Sequence, residues 1–178
     1  MKLSALMLAG VASLLAACGS GSESPSQDQP ETAAPYPEPA VSVSQSFVDT
    51  ISASDLFETQ AGQLAQQSGK SEAVKAFGAR MVKDHEASTS SLKAAALQSG
   101  LTVAPALNPD QEAKLTALRN AGQGFDGLYA QQQVAAHEVA LQTLRDYAAT
   151  GDNASLKDFA AKTSQTVERH LEDARKLP

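Results

Sequence analysis

Aromatic residues are scarce in this 178-residue chain: five Phe, three Tyr and no Trp, 4% of the sequence. Alternation of apolar and polar residues over strand-length windows is almost missing, which argues against a sheet-based core. A single cysteine, Cys18, excludes any internal disulfide, so an exported domain of this sequence must be held by its apolar core. Lys and Arg together number 14 against 20 Asp and Glu, a formal net charge of −6, and this balance argues against nucleic-acid binding or electrostatic adhesion to anionic lipid. No apolar run beyond the N-terminus approaches the ~20 residues that a spanning helix requires. No serine nucleophile arrangement, phosphate-cradling glycine loop or paired-cysteine metal motif occurs. Histidine is equally sparse, with His85, His137 and His170 the only three.

What is present at the N-terminus is an address. Lys2, the apolar run Leu3 to Leu15 and the small residues before Cys18 form a secretory signal peptide, too short and wrongly flanked for a spanning helix. Leu15-Ala16-Ala17-Cys18 resembles a bacterial lipobox, which implies removal of residues 1–17 and lipidation of Cys18 as the first mature residue. Bacterial lipoproteins carry three acyl chains, and at about 0.8 kcal/mol per buried methylene that number makes attachment lasting. The membrane is therefore an expected partner through Cys18. Gly19-Ser20 lacks the aspartate associated with inner-membrane retention, so the expected location is the outer membrane, on its periplasmic face or at the cell surface. Residues 18–44 then hold five of the eight prolines, no Lys or Arg, and Glu23, Asp28, Glu31 and Glu38. Such a stretch buries too little apolar surface to offset its ordering entropy and reads as a disordered tether.

From residue 45 to residue 178 the composition turns to Ala, Gln, Leu and charged residues, enough chain for one modest core. A first helix is predicted from about Ser46 to Ser68, with Phe47, Ile51, Glu58, Ala61 and Ala65 on one stripe. A second follows a Ser71 cap to Ser99, with Val74, Phe77, Met81, His85, Ser88 and Leu92 at the three-then-four spacing of a buried face. Asn108-Pro109-Asp110-Gln111 reads as cap, first-turn proline and reciprocal capping glutamine, opening a short helix to about Asn120. A third long helix is expected from Phe125 or Asp126 to Thr150, with Val134, His137, Leu141, Leu144 and Ala148 inward, and a fourth from Asn153 or Ser155 to Lys176, with Val167, His170 and Ala174 inward. The short links at Gly69-Lys70 and Gly151-Asp152 force antiparallel neighbours, and the longer segment 100–124 permits a crossover. The prediction is an all-α, four-helix antiparallel bundle with a short extra helix in that crossover.

Phe47-Val48, Glu58 with Gly62-x-Leu64-Ala65, Met81-Val82-Lys83-Asp84-His85, Phe125-Asp126-x-x-Tyr129, His137, and His170-Leu171 with Ala174 together resemble domain-of-unknown-function family 4142. The resemblance covers residues 45–178 and implies a ferritin-like bundle; the family's activity is itself unassigned. The family commonly has a proline about five residues before the last histidine, where this chain has Gln165.

Glu58, His85, His137 and His170 are the constellation that could carry chemistry. Measured from the end with both short links, they fall at depths of about 17, 23, 22 and 28 Å, within two turns of one another. Three readings compete. The four residues could ligate a transition metal such as Zn, Fe or Cu, since bundles build such sites from inward side chains. A ferritin-type di-iron centre is disfavoured, because the residues three before His85 and His170 are Val82 and Val167 rather than glutamates. Alternatively they form a polar core network that fixes helix register, with Glu58 pairing His85, and Asp84, Asp126 or Tyr129 closing the remaining valences. Or histidine protonation makes the bundle a pH or stress sensor. The expected role is non-enzymatic: interaction, protection or stress response in the envelope, with an envelope protein or a second copy as partner and no nucleic acid. Metal binding or redox chemistry is the alternative.

Overall fold

Four of the five α-helices of the domain start where a side chain satisfies a free backbone amide. In the computed structural model, which describes residues 42–178, Ser42 accepts from the Gln45 amide to open α1 (Val43–Ser68). Ser71 does the same for α2 (Glu72–Leu97) through the Val74 amide. Asn108 and Gln111 close the reciprocal capping box at the head of α3 (Pro109–Asn120), with Pro109 in the first turn. One turn of 3-10 helix at Gly122–Gly124 leads into α4 (Phe125–Thr150), and Asn153 accepts from the Leu156 amide to open α5 (Ala154–Ala174). The described residues contain five α-helices and no strand, and no helix among them is long and apolar enough to cross a membrane.

Three of these boundaries correct the sequence reading. α1 begins at Val43 rather than Ser46, because the Ser42 hydroxyl supplies a cap one turn earlier. α2 ends at Leu97 rather than Ser99, where Gly100 takes a φ of 67° and the chain reverses. α5 ends at Ala174 rather than Lys176. The signal peptide, Cys18 and nearly all of the expected tether lie outside the described residues.

Residues 69–71 leave α1 no choice but to be followed by an antiparallel α2, and residues 151–153 do the same for α4 and α5. The two hairpins pack side by side through α1 on α4 and α2 on α5, while α3, in the crossover from α2 to α4, lies against α1 and α4. The helical bundle thus has the crossover that its long connection permits. α1 and α2 meet most closely at two glycines: a Cβ on Gly62 would stand 2.6 Å from the Gly78 carbonyl oxygen, and one on Gly78 would stand 2.7 Å from that of Gly62. The backbones touch there, and any side chain would force them apart.

The interior is layered. One apolar cluster, built around Phe47, Ile51, Leu92, Leu144, Leu156 and Phe159, fills the end that holds the α4–α5 link. A second, built around Phe57, Met81, Leu115, Leu118, Phe125 and Tyr129, fills the end that holds the α1–α2 link, so the two short links lie at opposite ends of the bundle and not at one end, as the depths read from sequence took them. Burying each such side chain contributes about 1.5–3 kcal/mol. Between the two clusters every long helix turns a polar residue inward: Asp55 and Glu58 from α1, His85 from α2, Gln133 and His137 from α4, and His170 from α5, all buried.

Candidate metal centre

The polar layer exists because the apolar stripes of four helices are each interrupted at the same depth. On α2 the run Val74, Phe77, Met81, His85, Leu92 keeps its three-then-four phase through the histidine, so His85 points where a leucine would point. His137 and His170 hold the equivalent positions on α4 and α5. The three rings meet, with centroids 5.7 Å apart for His85–His137, 5.6 Å for His85–His170 and 5.5 Å for His137–His170. One ring nitrogen from each lies within 4.8 Å of those of the other two.

The opposite nitrogen of each ring is held by an acceptor. His85 Nδ1 lies 2.8 Å from Asp55 Oδ1, and the other Asp55 oxygen accepts from the Thr89 hydroxyl at 3.2 Å. His137 Nδ1 donates to the Gln133 backbone carbonyl at 2.9 Å. His170 Nε2 lies 2.9 Å from Asp84 Oδ2. Carbonyl and carboxylate oxygens accept only, so each bond fixes a proton on the outward nitrogen and defines the tautomer. The inner nitrogens, Nε2 of His85, Nε2 of His137 and Nδ1 of His170, are buried without a hydrogen-bond partner.

Electrostatics divides the three rings. Burial, reinforced by the positive charge of His85, drives the His137 pKa down to about 3. Burial takes His170 to about 4, with the bond to Asp84 opposing the fall. Burial pulls on His85 as well, but the bond to Asp55 and the charges of Glu58, Asp55 and Asp84 outweigh it and hold its pKa above the ordinary value. Glu58 is raised to about 7 by burial, against the pull of His85. At neutral pH His137 and His170 are therefore neutral, and His85 is the ring of the three that takes a proton first as pH falls.

The structure sorts the sequence candidates. His85, His137 and His170 come together as one group. Glu58 does not join it: its Oε1 stands 3.7 Å from His137 Nδ1, the ring nitrogen already held by the Gln133 carbonyl, and its Oε2 has no partner. The expected Glu58–His85 pair is replaced by Asp55–His85, since Asp55 lies one turn before Glu58 on the same stripe and reaches the ring first. Asp84 closes a valence as expected, on His170. Asp126 is elsewhere: its two carboxylate oxygens accept from the Lys70 and Ser71 amides, each at 2.8 Å, tying α4 to the α1–α2 link. Tyr129 is buried against Phe77 and Phe125 with its hydroxyl unpartnered, so it closes no valence of the cluster. Asp55 and Gln133 are the functional residues that the sequence reading missed. The four-then-three spacing Ile51, Asp55, Glu58 was the available signal for Asp55. For Gln133 the acting group is a backbone carbonyl, on which a side-chain pattern is silent.

A family model described as Domain of unknown function (DUF4142) matches residues 29–177. Comparisons with curated proteins and with solved structures give no match.

Proposed function

The chain belongs to the family Domain of unknown function (DUF4142), and from that premise we propose that it is an exported, lipid-anchored envelope module whose ferritin-like bundle holds one transition metal ion on His85, His137 and His170. The observation that carries the metal reading is the arrangement of the six ring nitrogens. Three are fixed outward by Asp55, the Gln133 carbonyl and Asp84, and the other three are buried, close and unpartnered. Metal-binding histidines have this second shell, in which a carboxylate or carbonyl takes the far N–H and orients the ring. A purely structural network would leave those inner nitrogens unpaired, at about 1–3 kcal/mol each.

Imidazole ligation suits Zn, Cu or Fe. A four-coordinate ion with bonds of about 2.0–2.1 Å sets its nitrogens roughly 3.3 Å apart, so binding draws the rings slightly inward. The carboxylates of Asp55 and Asp84 balance the charge from behind their rings, and ligation requires the inner nitrogen of each ring to be deprotonated. The four long helices with a crossover between the hairpins support the ferritin-like reading, and Leu15-Ala16-Ala17-Cys18 supports the anchor, with the outer membrane as its place. The role that follows is protective: retention of a metal ion at the envelope, without turnover.

Elemental analysis of the purified protein, with thermal melts before and after chelation, tests the metal reading. Near-stoichiometric metal and a melt lowered by the chelator are expected. His85→Gln should lose the ion while the chelated variant melts close to the chelated parent. Metal-free protein whose melt ignores both chelator and added Zn, Fe or Cu would overturn the reading.

A further inference from the structure

The seams between the helices close unequally around the histidine layer. α1 and α2 touch through Gly62 and Gly78. α3 covers part of the α1–α4 seam, and Gln132 donates to its Lys114 carbonyl at 3.3 Å. The α4–α5 seam is bridged by two ion pairs, Arg145–Glu168 at 2.6 Å and Arg175–Glu138 at 2.8 Å. Between α2 and α5, by contrast, runs a groove of about 680 Å³, lined among others by Asp84, Ala87, Ser88, Ser91, Thr163 and Thr166. Asp84 is the residue bonded to the outward nitrogen of His170, so the groove reaches the outer edge of the histidine layer; the grooves over α1, α3 and α4 and over α4–α5 are lined by no residue bonded to an imidazole.

Two further observations bear on what could arrive by that path. Among the described residues the group of mutually close His, Cys, Asp and Glu side chains contains three histidines and nothing else. Three protein ligands leave a tetrahedral ion one position for solvent or another small ligand, as in sites that exchange ligands, whereas purely structural sites use four. Ser88, one turn after His85 on the same helix and part of the groove lining, has a buried hydroxyl without a partner. Resting on the metal reading, the geometry points to an exchangeable coordination position that takes water or a small anion through the α2–α5 groove, with the Ser88 hydroxyl as hydrogen-bond donor to that ligand.

Cobalt(II) reports both steps, because its visible absorption changes with its ligands. Purified protein is stripped, loaded with cobalt and mixed with azide, and the same is done for three variants. Ala87→Phe, at an exposed position, and Thr166→Trp both fill the groove; Val139→Trp fills the groove over α1, α3 and α4 instead. The expected result is an azide-dependent spectral change that slows about tenfold, equivalent to about 1.4 kcal/mol of added barrier, in both α2–α5 variants at unchanged cobalt content, and not in Val139→Trp. Cobalt-loaded protein that ignores azide would show the position closed, and equal rates in all variants would exclude the groove as the route. Failure to take up cobalt would instead remove the metal reading itself, and this inference with it.

Discussion

Two polar clusters interrupt the apolar interior, and they are built on opposite plans. At the end that holds the α4–α5 link, Ser44 and Tyr147 share a 2.7 Å bond, and both hydroxyls reach Asp152 Oδ1, at 2.6 Å and 3.0 Å. Neither buried hydroxyl there lacks a partner, and the charge stays on Asp152, which is solvated. In the middle layer the carboxylates are buried or half-buried, the outward ring nitrogens are saturated, and the inner ones have nothing. A cluster that only joins helices spends its hydrogen bonds on itself. A cluster that holds a ligand keeps donor atoms in reserve and fixes them from behind, as the histidine layer does.

Substitutions separate the two plans, beginning with the apolar frame around them. Leu92→Ala, in the cluster next to the histidine layer, should lower stability by about 2–5 kcal/mol through lost burial and a cavity, measured by denaturant unfolding, with the metal content of the folded protein unchanged. A large loss of metal in that variant would mean that the layer depends on general packing rather than on the oxygens that hold its outward ring nitrogens. Asp55→Asn keeps the shape but removes the charge behind His85, and metal affinity should fall about 10–100-fold in a competition titration with a chelating dye. An unchanged affinity would make Asp55 a structural partner of the Ser44 type.

Acid should also separate the clusters, with the chelated protein as the subject. His137 and His170 have pKa values of about 3 and about 4 in the fold, below the ordinary 6.5. The unfolded chain therefore binds more protons at these two sites below pH 6.5, and the stability they contribute is complete above that pH and lost as pH falls toward 4. Glu58, raised to about 7 from 4.5, acts in the opposite sense, stabilising at low pH and losing that contribution as pH rises from 4.5 to 7. Two imidazoles outweigh one carboxyl, so the melting temperature should drop between pH 6.5 and 4.5. His85, raised above 6.5, acts in the opposite sense to the other two rings: its contribution is full below pH 6.5 and is lost only as pH rises above that value, so it does not produce the drop. The Ser44–Tyr147–Asp152 cluster should be silent in that window, because the Asp152 pKa is held below 3.8 by the Ser44 and Tyr147 hydroxyls and its contribution fades only in stronger acid. A melt that stays flat from pH 6.5 to 4.5 would contradict the neutral state of the two rings. The smallest effect belongs to Ser44→Ala, which should cost about 1 kcal/mol without touching metal content.

The difference between the clusters also marks what could be read from sequence. Helix periodicity carried His85, His137 and His170 inward, because each holds the phase of a long apolar stripe, and the capping residues at 71 and 108 located two helix starts. Partner identity was harder. Asp55 and Glu58 share a stripe one turn apart, and which of them meets His85 depends on about 4.5 Å of helix rise, less than the slack in any boundary drawn from sequence. Asp126 carries the same charge as Asp55 but lies in the first turn of α4, where the amides of Lys70 and Ser71 claim it. The family phrase around Phe125 and Tyr129 gave no sign of that local role.

X-ray absorption at the metal edge of the zinc- or copper-loaded protein tests the central claim most directly. The account predicts one ion per chain with three imidazole nitrogens at about 2.0–2.1 Å and a single non-histidine fourth ligand, lost together in His137→Gln. A bound ion coordinated by oxygens alone, with no imidazole scattering, would contradict it.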